Sequence, residues 1–240
     1  MPDPMAGHDT NELGQPIGLP VEGEFPRPTP PYTPMQGRFC SVVPLDVNRH
    51  APGLFRAFAS DTDGHNWTYL PYGPFSSEAD FTAWAQNNCM DADPMFHTVL
   101  DADEVPVGMA SYLRVEPAAG AIEVGHIHFS PLLQRKPQST EVMYLMMRRV
   151  FDELGYRRYE WKCDALNAPS RQAAERLGFT FEGIFRQATH YKGRNRDTAW
   201  FSIIDSEWPR IRAAFENWLA PGNFDAAGRQ RQSLQARAES

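Results

Sequence analysis

Apolar and polar positions follow two different periods along the central part of the chain. Residues 122–130 read IEVGHIHFS, a β-branched run that predicts a strand. Residues 141–156 carry apolar side chains at the spacing of one helix face, which predicts a helix. Residues 158–163 predict a second strand, and Asn167 is a suitable cap for a following helix that ends near Gly178. The pattern therefore predicts a strand–loop–helix–strand–helix unit.

The same periodicities predict elements on both sides of this unit. Strands are expected at residues 38–45, 95–100, 105–115, 181–190 and 198–204, the last two joined as a hairpin. One helix is expected around Leu54 and Phe58, and another after Ser76 as its N-cap. A last helix, starting near Ser206, carries an apolar stripe through Phe215, which indicates core packing.

The loop before the first helix of the unit carries two adjacent cations, Arg135 and Lys136. A loop that enters a helix N-terminus presents unpaired N–H groups and the positive end of the helix dipole. Together these features predict a site for a phosphate or pyrophosphate. A solvated basic loop is the alternative.

Three segments resemble one acetyltransferase family in their order and spacing: DALNAPSRQAAERLGF, FEGIFRQ and GRNRDTAWFSIIDSEW. Residues 36–220 resemble the GNAT acyl-CoA N-acetyltransferases, in particular the RimJ/RimL-like branch. The resemblance implies an α+β fold. Its mixed, mostly antiparallel sheet has six or seven strands, splays at its middle and carries helices on both faces.

The resemblance also implies acetyl-CoA as co-substrate. The pyrophosphate would lie on the loop that holds Gln134, Arg135, Lys136, Gln138, Ser139 and Thr140. Pro137 stands where the family has a glycine, and proline has no N–H to donate, so one loop contact is expected to be lost or replaced. Backbone amides of Ile127, His128 and Phe129 would hold the thioester and pantetheine, and Asn167 would contact CoA as well as cap its helix.

Acetyl transfer to an amine needs a base, because an alkyl ammonium with a pKa near 10 is mostly protonated at pH 7. Glu123 is the first candidate, since it lies eleven residues before Gln134, as the catalytic glutamate does in one GNAT branch. His126 competes for this role, because imidazole titrates nearest neutrality. Strict alternation places His126 opposite Glu123, and a bulge at Gly125 would reverse that. Ser170 resembles the hydroxyl that protonates the leaving thiolate.

Residues 67–75 are dense in aromatics and turn formers, and in this branch the segment lines the acceptor side of the cleft. Trp67, Tyr69 and Tyr72 are therefore candidates to contact the acceptor, and plain packing is the alternative. The acceptor is expected to be a primary amine of a small molecule, with a protein N-terminus as the alternative. A non-catalytic acyl-CoA-binding module is a third hypothesis.

Composition restricts the remaining possibilities. The net charge of −7 disfavours nucleic acid as a partner, and no stretch is apolar and long enough to cross a membrane. Three cysteines without metal-ligand spacing argue against a disulfide framework and favour the cytoplasm. The His126-x-His128 pair has no third ligand at sensible spacing, so no metal is expected.

The termini differ in composition from the expected domain at residues 37–220. Residues 1–36 hold nine of the 21 prolines and read as an extended arm. Leu13 and Ile17 are expected either to anchor this arm, on the domain or on the second subunit of a homodimer, or to lie in a flexible tail. Residues 221–240 are polar and read as a loosely held tail.

Overall fold

A single eight-stranded sheet organises the chain. The computed structural model describes residues 7–236, and the sheet order is β3-β4-β5-β6-β7-β8-β10-β9. The strands are β3 (Met35–Gln36), β4 (Ser41–Pro44), β5 (Met95–Leu100), β6 (Pro106–Glu116), β7 (Ala121–Phe129), β8 (Arg158–Asp164), β9 (Thr180–Tyr191) and β10 (Arg194–Ile204). Among these strands β7 and β8 form the parallel pair, and the other neighbours are antiparallel. The mixed, mostly antiparallel α+β architecture is confirmed, with eight strands rather than six or seven.

Helices cover both faces of the sheet. They are α1 (Val47–Phe58), α2 (Glu78–Asn88), α3 (Pro137–Arg148), α4 (Ala168–Arg176) and α5 (Trp208–Leu219), and a π-helical turn at Arg149–Glu153 extends α3. The larger core lies between the sheet and the helices α3 and α5, and includes Ile122, Val124 and Phe215. A second core lies under α1 and α2 and includes Phe58 and Phe81.

Two element boundaries differ from the sequence expectation for a physical reason. The predicted strand at residues 38–45 begins at Ser41, because the N–H groups of Arg38, Phe39 and Cys40 donate to the buried Glu141 carboxylate at 2.7, 2.6 and 3.0 Å. The carboxylate replaces the strand partners of these amides and ties this loop to α3. The cap of α2 is Ser77 rather than Ser76, and its Oγ accepts the Asp80 N–H at 3.1 Å.

The N-terminal arm contacts the domain through its second half. The Arg149 guanidinium donates to the carbonyls of Thr33 and Pro34 at 2.7 and 3.1 Å. The first half forms the two-residue strands β1 (Asp9–Thr10) and β2 (Pro16–Ile17). Leu13 is 81% exposed and Ile17 is 45% exposed, so neither anchors the arm on its own domain.

The C-terminal segment packs on the domain as far as it is described. Leu234 and Ala236 are buried in the larger core, and the Arg210 guanidinium donates to the Ala236 carbonyl at 2.8 Å. The expectation of a loosely held tail is therefore wrong for residues 221–236. The prediction rested on the polar composition of the segment, which does not show that Leu234 and Ala236 pack on the core of the folded chain.

Candidate active site

A cleft opens in the middle of the sheet because β7 and β8 diverge. Their pairing runs from Ala121 opposite Arg158 to Val124 opposite Trp161 and stops there. Beyond that point residues 125–129 of β7 and 162–164 of β8 no longer pair with each other. We call the gap between these two segments the cleft.

A bulge in β7 sets which side chains face each side of the sheet. Met109 of β6 pairs with His128 and Ser111 pairs with Gly125, so β7 holds one more residue than β6 in this interval, and His126 has φ of 48°. Because the bulge shifts the alternation by one, Ile127 packs against the larger core, as Val124 does. His126 and His128 then lie on the α1–α2 side, the same side as Glu123.

The bulge leaves one edge of β7 open to the cleft. The Ser130 N–H donates to the Val107 carbonyl at 3.2 Å. Hydrogen-bonded pairs alternate along two antiparallel strands, so the pair of His128 and Met109, two residues earlier on β7, is also hydrogen-bonded within the sheet. The backbone groups of Ile127 and Phe129 point the other way, into the cleft. They can hold an amide-bearing ligand, whereas the His128 amide, predicted to do the same, belongs to the sheet.

The start of α3 has the features of an anion site. Lys136 is the N-cap and Pro137 the first helical residue, where an N–H would have no helical partner in any case. Within residues 7–236 the N–H groups of Arg135, Lys136 and Gln138 donate to no carbonyl or side chain. Pro137 therefore costs the site little, and three N–H donors and two exposed cations remain for a pyrophosphate.

Three of the four other predicted loop side chains are engaged within the protein. Gln134 Nε2 donates to the Phe129 carbonyl at 2.8 Å and to Asn66 Oδ1 at 2.9 Å. Ser139 Oγ donates to the Lys136 carbonyl at 2.7 Å, and Thr140 Oγ1 accepts from Arg176 at 3.1 Å. The fourth, Gln138, has its Oε1 buried without a partner. The backbone N–H groups and the two cations are therefore the groups of this loop that are free for a ligand.

Changing Arg135 and Lys136 together to Ala is expected to weaken acetyl-CoA binding by about 1–3 kcal/mol, because each cation can form a charge-assisted hydrogen bond. Titration calorimetry measures this directly. The matched control removes two other exposed cations, Arg56 and Arg231, and is expected to leave the affinity unchanged. Equal affinities for both double variants would contradict this placement of the pyrophosphate.

Two predicted residues meet at the start of α4. Asn167 is the N-cap, with Oδ1 accepting the Ser170 N–H at 3.1 Å, so its expected capping role is confirmed. Ser170 Oγ accepts the indole N–H of Trp161 at 3.0 Å. Since Trp161 and Val124 are the last paired residues before the cleft, Ser170 lies at its closed end, with its own hydroxyl proton available to donate.

His126 lies in an aromatic cluster on the α1–α2 side of the cleft. Its ring is stacked 5.8 Å from Tyr72, its Nδ1 is 3.3 Å from the Tyr72 hydroxyl, and Phe96 lies 4.9 Å away. Burial, assisted by the charges of Arg114 and Arg196, lowers the pKa of His126 to about 4. The imidazole is therefore neutral near pH 7.

His128 is packed inside the second core. Its ring stacks on Phe58 at 3.8 Å and meets Trp67 edge-on at 4.0 Å, and neither ring nitrogen has a hydrogen-bond partner. Burial lowers the pKa of His128 to about 3. The side chain thus serves as an aromatic packing residue.

Replacing His128 with Phe is expected to reduce acid sensitivity. The folded-state pKa lies below the unfolded value of about 6.5, so the unfolded chain binds the extra proton and stability falls as the pH drops from 6.5 towards 3. At pH 5 the wild type should have lost about 2 kcal/mol through this residue, and the variant none. Urea unfolding at pH 7 and pH 5 measures the difference, and an unchanged pH dependence would contradict the assignment.

Glu123 belongs to a buried ion cluster. Its Oε2 lies 2.7 Å from Arg114 Nη1 and 2.8 Å from Lys162 Nζ, and its side chain is 4% exposed. Lys162 also forms an ion pair with Glu160 at 2.7 Å, and Arg158 forms ion pairs with both Glu160 and Glu182. Burial raises the pKa of Glu160, but hydrogen bonds from Lys162 and Arg158 outweigh it and leave a lowered pKa. Arg114 and Lys162 both contact Oε2 of Glu123, so this buried carboxylate is engaged within the protein, which disfavours it as the residue that meets the amine.

The sequence analysis did not find this ion cluster as a unit. Arg158, Glu160 and Lys162 alternate along β8, which places them on one face with alternating charge. That period-two charge pattern was the available signal. The contribution of Arg114 required the register of β6 against β7.

The aromatic segment at residues 67–75 divides into core and cleft residues. Trp67 is 6% exposed and packs against Phe58 and Phe75, which favours the packing alternative over a contact with the acceptor. The sequence of a Pro/Gly-rich aromatic segment does not show whether its rings are buried. In the structure Gly73 lies against the Trp67 ring, and a Cβ at this position would collide with it. Tyr72 faces His126 and remains a candidate acceptor contact.

Two hydrogen bonds connect this segment to the opposite side of the cleft. The Tyr69 hydroxyl donates to the Leu166 carbonyl at 3.2 Å, just before α4. Lys192, in the β9–β10 turn, donates through Nζ to the Trp67 carbonyl at 2.7 Å. Lys192 and Gly193 both have positive φ, as this two-residue hairpin turn requires. The aromatic segment is therefore hydrogen-bonded both to the loop before α4 and to the β9–β10 turn.

Residues 7–236 lack two further kinds of feature. No group of three or more His, Cys, Asp or Glu side chains in this part of the chain could hold a metal ion. No helix there has both the length and the hydropathy to span a membrane.

Comparison with known proteins agrees with the fold. Residues 42–180 match the family model of the acetyltransferase (GNAT) domain. The chain belongs to the GNAT acetyltransferase family. No curated protein matches it.

Solved structures resemble this GNAT protein over most of its length. A GCN5-related N-acetyltransferase from Brucella melitensis is 46% identical, with a TM-score of 0.87 over 90% of this chain and 98% of that one. A GNAT-family structure from Chromobacterium violaceum is 42% identical, with a TM-score of 0.76 over 81% and 98%. RimL, a ribosomal L7/L12 α-N-protein acetyltransferase in complex with coenzyme A, is 19% identical, with a TM-score of 0.57 over 71% and 97%, and shares the fold.

Proposed function

We propose that this protein transfers the acetyl group of acetyl-CoA to a primary amine of a small molecule. The observation that carries the proposal is the continuous path along the cleft. The open backbone edge at Ile127 and Phe129 lies beside the splay, and α3 begins eight residues after Phe129, directly after Arg135 and Lys136. An extended pantetheine fits the first part and a pyrophosphate the second.

The chain's own groups cover each requirement of the reaction. The Ile127 and Phe129 backbone would position the thioester, and His126 would accept a proton from the incoming ammonium. The amine nitrogen then attacks the thioester carbon and the C–S bond breaks. Ser170 gives its hydroxyl proton to the leaving thiolate and takes up the second proton, which the nitrogen loses as the amide forms. Trp161 donates to Ser170 Oγ and so orients the hydroxyl proton.

Two hydrogen bonds across the cleft favour a small acceptor. An extended peptide needs an open channel, whereas the contacts of Tyr69 with Leu166 and of Lys192 with Trp67 cross the acceptor side. The protein N-terminus remains the second candidate, as for RimL, whose likeness to this chain supports the fold and not the substrate.

A screen of primary amines against acetyl-CoA and succinyl-CoA tests the proposal, with release of CoA thiol as the readout. Turnover that depends on an added small amine is expected. Turnover with N-terminal peptides and with none of the small amines would favour the second candidate. Tight acetyl-CoA binding without turnover on any amine or peptide would identify a non-catalytic binding module.

A further inference from the structure

The guanidinium of Arg196 is an uncompensated charge in a half-buried position of β10. Its Nε is buried without a partner, and within residues 7–236 the group makes no ion pair or hydrogen bond. Its Cζ lies 5.9 Å from the centre of the Tyr191 ring. Partial burial of an unpaired cation is costly, so this position favours a ligand or water that supplies negative charge.

Arg196 lies at the mouth of the cleft. The Tyr191 hydroxyl beneath it donates to Asp164 Oδ2 at 2.8 Å, at the end of β8. The charge of Arg196 also acts on His126 of β7 and on Cys163 of β8. One cation therefore influences both sides of the splay, where the acceptor must meet the thioester.

No charged group within residues 7–236 forms an ion pair with Arg196. The Asp164 carboxylate accepts from Tyr191 and from the Leu166 N–H, and Asp197 accepts from the Gln187 N–H and from Asn195, and neither carboxylate contacts the guanidinium. Arg114, the other cation that acts on His126, is paired with Glu123 at 2.7 Å. Of these two cations, Arg196 is therefore the one that is free to bind an anion.

We propose that Arg196 is an anion subsite for the acceptor, and that the acceptor is an amino acid-like molecule that carries a carboxylate beside its primary amine. This inference rests on the proposed acetyl transfer. The planar guanidinium matches a carboxylate through two parallel hydrogen bonds. A bound carboxylate also offsets the charge that Arg196 places on the proton-accepting imidazole of His126, so the correct acceptor helps its own deprotonation.

The test compares matched acceptors with and without the carboxylate. Phenylalanine is paired with phenethylamine, and 4-aminobutyrate with propylamine, and kcat/KM is measured for wild type and for Arg196→Gln. The variant is expected to lose about 10- to 100-fold with the wild type's preferred amino acid and less than about threefold with its decarboxylated partner. Arg196→Lys keeps the positive charge but cannot form the two parallel hydrogen bonds to a carboxylate. Its loss of kcat/KM with the amino acid should therefore lie between zero and that of Arg196→Gln.

Arg194→Gln is the matched control, because it removes an exposed arginine from the same strand. It is expected to change neither acceptor. Equal losses by Arg196→Gln on both members of a pair, or a wild type that prefers amines without the carboxylate, would overturn the subsite. Failure of the wild type with every amine would instead contradict the proposed function, and the subsite with it.

Discussion

Replacing His126 with Ala is expected to lower kcat by about 10²-fold while leaving acetyl-CoA affinity almost unchanged. A pKa of about 4 leaves the ring neutral at pH 7 but makes it a weak base, so the expected loss lies at the low end for general-base catalysis. The CoA contacts lie on backbone groups and on the loop beyond the bulge. Steady-state kinetics with calorimetry separates the two effects.

Glu123→Gln provides the contrasting variant. Removing the negative charge leaves Arg114 without its partner and Lys162 with Glu160 alone, so this variant is expected to lose stability while the folded fraction keeps most of its kcat. If Glu123→Gln removes activity at full stability and His126→Ala is mild, the proton acceptor is Glu123.

Tyr72→Phe keeps the stacked ring and loses only the hydroxyl contact with His126. This variant should lower kcat less than His126→Ala does.

Replacing Trp67 with Ala is expected to destabilise the fold by about 3–5 kcal/mol, the usual cost of deleting a large buried aromatic side chain. The ring packs against Phe58, Phe75 and His128, so its loss opens a cavity in the second core. This is a large fraction of the 5–15 kcal/mol by which domains are typically stable. Urea unfolding at pH 7 measures it.

Tyr69→Phe is the control in the same segment. It removes one half-buried hydroxyl contact and is expected to cost no more than about 1.5 kcal/mol. A Trp67→Ala variant that unfolds like the wild type and shows only a raised KM for the amine would return Trp67 to the acceptor site.

Local sequence signals predicted the elements that build the site. The strand at residues 95–100 was predicted with both of its ends, and the Asn167 cap has the geometry that its side chain favours. The bulge near Gly125 is confirmed, and with it the side of the sheet on which His126 lies. These features depend on period, caps and turn chemistry, which act over a few residues.

Features that depend on distant parts of the chain were missed. Glu141 binds amides a hundred residues away, and strand β3 is two residues long, too short for any period. Gln134 was expected at the pyrophosphate and instead joins Asn66 to the end of β7. A glutamine or glutamate in a loop or helix looks the same in sequence whether its partner is a ligand or the protein's own backbone.

The central claim is that this chain moves an acetyl group onto an amine nitrogen. The most direct test incubates the protein with acetyl-CoA labelled in the acetyl group and the best amine of the screen, and follows both products by mass spectrometry. The account predicts labelled N-acetylated amine in a one-to-one ratio with free CoA. Labelled acetate with unmodified amine, or no CoA release at all, would contradict it.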